Sequence, residues 1–408
     1  MAKTKIVLIG AGSVCFGPST VADIIRAGAS LAGSTVVLVD VNEESLAAVT
    51  TLARKMVAET GAELTIEAAA DRREALSGAE FVVVSIAVDR DETWKLDFEI
   101  PLRHGVRHVL GENGGPGAFF HCARNIPIIL GICRDMEELC PEALLINFTN
   151  PEPRICLAIN RYSRIRAVGL CHQIGEGYRI VARIMGCAED EIDLKAAGIN
   201  HFTWIQDMRW AKSGEDMYPE FRRRLARHDP TDEPLSRALM DIFGLFPATG
   251  DGHAGEYVPY AWEYVGTKGF DFEGFAAWRA GLWKDVRDVN SGRAPVQKCL
   301  AWGGGERVVP IITGMLANTN QYELSVDIPN RGNISNLPDG PIVEVPGVVG
   351  AQGVRGLAVG PLPEGIAALC RVQMELQSMA VDAAVRGDRA LALQTLVLDP
   401  VMPNPETA

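Results

Sequence analysis

The sequence predicts an α/β protein, with a doubly wound parallel sheet in its first half and a second half of mixed α+β character. Three observations carry that prediction. Apolar runs of strand length alternate with helical stretches as far as about residue 195, the pattern of βαβ units. The first run, "KIVLIGAG", ends in glycines just ahead of a helical segment, as a Rossmann-type nucleotide fold requires. Beyond residue 195 the alternation gives way to short strands, aromatic-rich helices and long loops.

After its lysine, "KIVLI" is apolar at four successive positions, which suits a central strand covered on both faces. "STVADIIRAGA" follows as a helix, "TVVLVD" as a strand and "NEESLAAVTTLARKMVAETG" as a long helix. A short strand near "LTIEAA", a helix at "DRREAL" and the strand "EFVVVSIAV" come next. A loop-rich segment leads to the helix "HCARNIPIILGICRDMEELC", and "ALLINFTNP" and "IRAVGLCH" supply the last parallel strands. In the second half "AAGINHFTWIQDMRW" reads as antiparallel strand, and "EGIAALCRVQMELQSMAVDAAVRG" as a long amphipathic helix. Two domains are expected, 1–195 for the nucleotide and 196–408 for substrate and metal. The first should resemble the lactate and malate dehydrogenase fold.

A chain of 408 residues has room for two cores, and its 47% hydrophobic and 22% charged shares are those of an ordinary globular protein. No apolar run approaches the roughly 18–20 residues that span a bilayer, and "MAKTKIVLIGAGS" is not read as a signal peptide. Nine scattered cysteines, an odd number, argue against a disulfide framework and for the cytoplasm. The net charge of −13 argues against nucleic acid, and no membrane partner is implied. The basic stretch "EFRRRLARH" is read as the solvated face of a helix.

In "GAGSVCFG", Gly10 and Gly12 supply a tight turn that lets backbone amides approach a pyrophosphate. A third glycine would fall at position 15, where this chain has Cys15. Asp40 ends the second strand, where a carboxylate accepts hydrogen bonds from ribose hydroxyls and repels a 2′-phosphate. NAD is therefore expected over NADP. Ser13, Phe16 and Ser85 complete the expected cofactor contacts.

Ligands of such folds lie beyond the carboxyl ends of the strands. "NFTNP" brings Asn147, Thr149 and Asn150 there, and "GLCH" brings Cys171 and His172. "GINH" places His201 at the start of the second half, and "GENGGPGAFFH" lies near the expected nicotinamide. A thiolate and an imidazole from separate segments make a divalent-metal site with positions open to substrate oxygens.

These motifs, with "GGPG" and the run from Asn330 to Pro346 that includes "VEVP", occur in the order seen in family 4 glycoside hydrolases. The chain resembles that family from about residue 5 to residue 385. Its members include α-galactosidases, α-glucosidases, α-galacturonidases and 6-phosphoglycosidases, which use NAD and, usually, Mn²⁺ and stand outside the two-carboxylate rule of glycosidases. The resemblance implies oxidation at C3 of the sugar by NAD, removal of the acidified C2 proton, loss of the C1 substituent, addition of water and return of the hydride. It implies Cys171 and His201 as metal ligands, Asn150 and Asn113 on the sugar, and His172 near the glycosidic oxygen. Asp251 or Tyr257, in "FPATGDGHAGEYVPY", is the C2 base. His253 and Glu256 are expected at the substrate or just behind it. A uronic acid would call on Arg331 or Arg124, either of which also has a structural or phosphate-binding reading. Cys-His at the metal strand resembles the branch that acts on unphosphorylated sugars, so an α-linked galactose, glucose or uronic acid is expected. Homodimers or homotetramers are implied as well. The competing reading is an NAD-dependent 2-hydroxyacid dehydrogenase, which needs no metal and leaves Cys171 and His201 unexplained.

Overall fold

The computed structural model describes residues 3–303 and 307–407. Six strands come first: β1 (Lys5–Ile9), β2 (Ser34–Val39), β3 (Leu64–Ala69), β4 (Phe81–Val84), β5 (Leu144–Asn147) and β6 (Arg166–Gly169). They pair in parallel in the order β3-β2-β1-β4-β5-β6, so the chain winds outward from β1 in both directions. That is the doubly wound order expected from the alternation, with its switch point between β1 and β4. Burial explains the apolar runs. Ile6, Leu8, Val36 and Leu38 join one core with the helices Gly17–Arg26 and Glu43–Thr60. Val7, Ile9, Val37 and Val39 face the other side, against the helix Gly115–Leu139.

The second half continues the same sheet. β7 (Ile192–Ile199), β8 (Phe202–Trp210), β9 (Gln321–Pro329), β10 (Ile342–Gly350) and β11 (Gly353–Gly356) are antiparallel, and the order runs on as β6-β9-β10-β7-β8 with β11 beside β10. The seams are narrow. β6 pairs with β9 through Gly169 and Asp327, and β10 with β7 through Glu344 and Gly198. The helix Glu364–Arg386 packs back onto helices Gly115–Leu139 and Glu152–Tyr162 of the first half.

Sequence reading takes 111–121 as a flexible loop. The structure winds its later part into the first turns of the 25-residue helix Gly115–Leu139. Pro116 sits in the first turn, where its fixed φ and missing N–H suit a helix start. The basic stretch behaves as expected: helix Tyr218–Leu225 buries Phe221 and Leu225 and leaves its arginines at the surface. Among the described residues, no helix is long and apolar enough to cross a membrane.

Candidate active site

The glycine loop leaves β1 with Gly10 at φ +89, a conformation that side chains rarely adopt, and a Cβ there would lie 1.9 Å from the Ser85 carbonyl oxygen. Gly12 N–H donates to Asp40 Oδ2 at 2.8 Å, and a Cβ on Gly12 would meet that carboxylate. The position of the third glycine needs correction. The loop is two residues longer than the usual spacing, and Gly17 opens the helix where a Cβ would lie 2.0 Å from the Ala11 carbonyl oxygen. Close packing of helix on loop is thus Gly17's task, and Cys15 replaces nothing. Phe16 also departs from expectation: it is buried in the core beside Phe148, whereas Ser13 is exposed on the loop. Ser85 contributes its carbonyl under Gly10.

At the substrate side, β6 runs out into Cys171 and His172, which precede the helix Gln173–Met185. β7 and β8 are joined by the two-residue turn Asn200–His201, and His201 takes the left-handed region at φ 62. Histidine is among the few non-glycine residues enriched there. The turn carries the imidazole to Cys171, with Sγ 3.3 Å from His201 Nε2. Both residues line a cavity of about 320 Å³ that also presents His172, Glu233, Asp251 and His253.

Burial raises the Cys171 thiol well above its usual pKa, and the Glu344 and Asp327 carboxyls add to that. Burial also lowers His201 far below the ordinary imidazole value, helped by His253 and His172. The pair therefore waits as a thiol and a neutral ring whose Nδ1 is buried with no hydrogen-bond partner among the described residues. A cation would displace the thiol proton, because a coordinating thiol ionises outright. Donor atoms of Glu112, His201 and His253 lie within 4.8 Å of one another.

Other expected residues fall in different places. Asp251 lines the cavity, yet its carboxylate also caps the helix Pro234–Phe243, accepting from Leu235 N at 2.8 Å and Ser236 N at 2.7 Å. Glu233 accepts the Asp251 amide at 2.8 Å, and burial together with Asp251 raises its pKa to about 7. Tyr257 is buried in the core and donates its hydroxyl to the Asn200 carbonyl at 3.0 Å. Burial lifts its pKa well above 10, with Glu256 adding to the shift. Glu256 is enclosed too. Its Oε2 accepts three successive amides, from Glu112, Asn113 and Gly114, and Oε1 bonds His253 Nδ1 at 3.2 Å. Burial opposes charge on His253, but the Glu256 carboxylate outweighs it and raises the pKa of the ring. Asn150 donates to Glu112 Oε1 at 3.2 Å, and both side-chain amide atoms of Asn113 are buried with no partner among the described residues. Arg331 is exposed and does not line the cavity, and Arg124 is paired with Asp97.

Sequence reading missed the floor of the site. Glu152, Asp327 and Glu344 are buried at the seams of the sheet. Glu344 accepts from Asn200 at 3.0 Å and from Gln173 at 3.2 Å, and Asn200 also reaches Asp327 at 3.3 Å. The acids thereby hold the neighbours of both His201 and Cys171. A Cβ on Gly169 would collide with Glu152 Oε1, so only glycine leaves room for this carboxyl at the end of β6. The signal available in sequence was a single acid inside the apolar run "IVEVPGVVG".

Residues 5–186 match the family model described as family 4 glycosyl hydrolase, and residues 196–402 match the model of that family's C-terminal domain. The chain belongs to glycosyl hydrolase family 4. This family 4 chain is 35% identical to an α-glucosidase of Erwinia rhapontici, over 98% of its own length and 94% of the relative's. It is 30% identical to an α-galactosidase of Bacillus subtilis (strain 168), over 97% and 93% of the two chains. The crystal structure of lplD from Bacillus subtilis matches with a TM-score of 0.88 at 25% identity, covering 99% of this chain and 97% of that one. A 6-phospho-α-glucosidase from gut microorganisms, crystallised with NAD and Mn²⁺, matches at TM-score 0.86 and 20% identity over 100% and 95%. Malate dehydrogenase of Plasmodium falciparum shares the fold at TM-score 0.56 and 12% identity, over 95% and 99%. For this family 4 chain the dehydrogenase reading is the weaker one.

Proposed function

We propose that the protein hydrolyses an unphosphorylated α-hexopyranoside, using NAD and a divalent cation such as Mn²⁺. The observation that carries this reading is the 3.3 Å approach of Cys171 Sγ to His201 Nε2 at a cavity, in a chain matched by family 4 over both halves. The residues fit both groups. A nucleotide fits the glycine loop, whose Cβ-free surface and Asp40 carboxylate leave room for pyrophosphate and ribose. A cation fits the Cys171–His201 pair, whose donors come from two segments and leave positions open to sugar oxygens. The soft thiolate favours later transition metals over Mn²⁺, so manganese enters this reading from the family relatives.

Bound NAD supplies a hydride acceptor that is restored each turnover, and the cation supplies Lewis-acid polarisation of neighbouring sugar oxygens. The chain's own groups do the rest. Asp251 accepts the C2 proton: it borders the cavity, and one amide bond to each oxygen leaves each a further lone pair. Tyr257 is less suited, since its hydroxyl is spent on Asn200 and its raised pKa opposes ionisation. His172, on the cavity wall at the start of a helix, hands a proton to the leaving oxygen. Asn150 and Glu112, bonded to each other, are assigned to the sugar hydroxyls in this reading.

Charge on the cavity wall favours a neutral sugar. The cavity's arginine, Arg179, is bonded to Glu176, while Glu233 and Asp251 add two more carboxyls. A 6-phosphate or uronate would find no unpaired arginine or lysine on that wall. A neutral α-glucoside or α-galactoside thus comes first and an α-galacturonide second. Cytoplasmic location and assembly as a homodimer or homotetramer belong to the same reading. Leu393 and Leu398, 50% and 60% exposed near the C-terminus, support a subunit contact.

A panel of p-nitrophenyl glycosides with NAD, Mn²⁺ and reductant tests the reading. Neutral α-glycosides should turn over at least about a hundredfold faster than their 6-phosphates, a difference of about 2.7 kcal/mol. Substrate deuterated at C2 should be cleaved more slowly where that step limits the rate. Stoichiometric NADH from a 2-hydroxy acid, with no glycoside cleaved, would reject the proposal.

A further inference from the structure

We propose that His253 is a third protein ligand of the divalent cation, held in its ligating orientation by Glu256. The inference rests on the cation-dependent reading above and moves His253 from the sugar to the metal. Three features of the site support it. His253 shares the cavity wall with Cys171 and His201, and its ring centroid lies 4.0 Å from that of His201. Donor atoms of Glu112, His201 and His253 lie within 4.8 Å of one another, close to the span of one coordination sphere with ligand bonds of about 2.0–2.3 Å; Cys171 is not of that group and joins it through His201, 3.3 Å from its Sγ. Glu256 Oε1 occupies Nδ1 of His253, which leaves Nε2 as the ligating nitrogen. A carboxylate behind a metal-bound histidine fixes the ring and strengthens its donor nitrogen.

Glu256 is built for that role. Its side chain has 0% exposure, and the three amides of residues 112–114 lock its other oxygen. Such a group cannot turn to meet a sugar, but it can hold an imidazole still. Glu112, the neighbouring carboxylate, receives Arg90 at 2.9 Å and Asn150 at 3.2 Å, both on Oε1, and the arginine already offsets its charge. One thiolate and two imidazoles would grip one side of the ion and leave the other for two sugar oxygens.

The experiment needs no substrate. Chelator-stripped protein is titrated with Mn²⁺ while the free-ion EPR signal is followed, and pulsed EPR then counts imidazole nitrogens on the bound ion. Wild type should show two imidazoles and His253→Ala one. Mn²⁺ affinity should fall about 10- to 100-fold in Glu256→Gln and at least as far in His253→Ala. NAD affinity and thermal unfolding report whether each variant is folded. One imidazole in wild type, or unchanged Mn²⁺ affinity in folded His253→Ala, overturns the proposal. Wild type that binds no Mn²⁺ removes the cation site itself. Protein that binds the ion through two imidazoles but cleaves no glycoside leaves this inference standing and defeats the proposed function instead.

Discussion

Turnover by the Cys171→Ser protein is expected to fall by at least about a thousandfold, with NAD affinity within about twofold of the parent. Lewis-acid polarisation contributes several kcal/mol, and each loss of about 1.4 kcal/mol is a tenfold loss of rate. Serine cannot replace the thiolate, because its hydroxyl keeps its proton where a thiol gives it up to a cation. The nucleotide should be indifferent to the change. Gly10, Gly12 and Asp40 lie at the ends of β1 and β2, whereas Cys171 follows β6, three strands from β1 in the sheet. His201→Asn is the matching variant on the second segment. Asparagine tolerates the left-handed φ of 62, so the turn keeps its shape while the imidazole goes. Isothermal titration with NAD beside a glycosidase assay separates the two functions. A parallel loss of NAD binding and turnover in both folded variants would mean that the metal and nucleotide sites are one unit.

The parallel half was legible because its strands are covered on both faces. Beyond the polar residues that open β1 and β2, these strands and β4 are apolar at successive positions, and such runs stand out in sequence. That Cys171 and His201 would meet was legible for a related reason: each follows a recognisable strand, where ligands of this fold gather. The third glycine was misplaced because strand and helix are visible in sequence but the length of the turn between them is not. Phe16, expected at the cofactor, has its ring in the core. The acids under the site were not legible at all. Glu152, Asp327 and Glu344 meet only because β9 and β10 insert between β6 and β7, and no local pattern announces that insertion. Asp251 shows the same limit, since the helix it caps begins 17 residues earlier in the chain.

Those buried acids should make the folded protein less stable as pH rises from about 5 to 8. Burial raises Glu152 to about 8 and Glu344 to about 7, and it raises Asp327 well above the carboxylate range, with Glu152 and Glu344 adding like charge. Among the described residues, no ion pair supplies any of the three with a lysine or arginine. Below about pH 4 the folded and unfolded chains both hold these protons, and the stabilisation is fully present. Above that the unfolded chain releases them first, so stability falls until the folded acids ionise near pH 7–8 and then levels off. Each pKa unit is worth about 1.4 kcal/mol, so three such groups make the decline a matter of several kcal/mol. Urea midpoints taken with chelator present, so that no cation contributes, should follow this course. Asp327→Asn removes one charge from the cluster and leaves an amide in its place. Its curve should be flatter than the parent's and lie above it at pH 8. Glu233 near 7 and Asp399 near 6 act in the same direction and persist in the variant, so some slope should remain. Parallel curves for the two proteins would show that the cluster is not the source, and a parent that gains stability over this range would contradict the sign. The acids hold Asn200 and Gln173 beside the proposed ligands, so the same titration that loosens the seam also loosens the floor beneath Cys171 and His201.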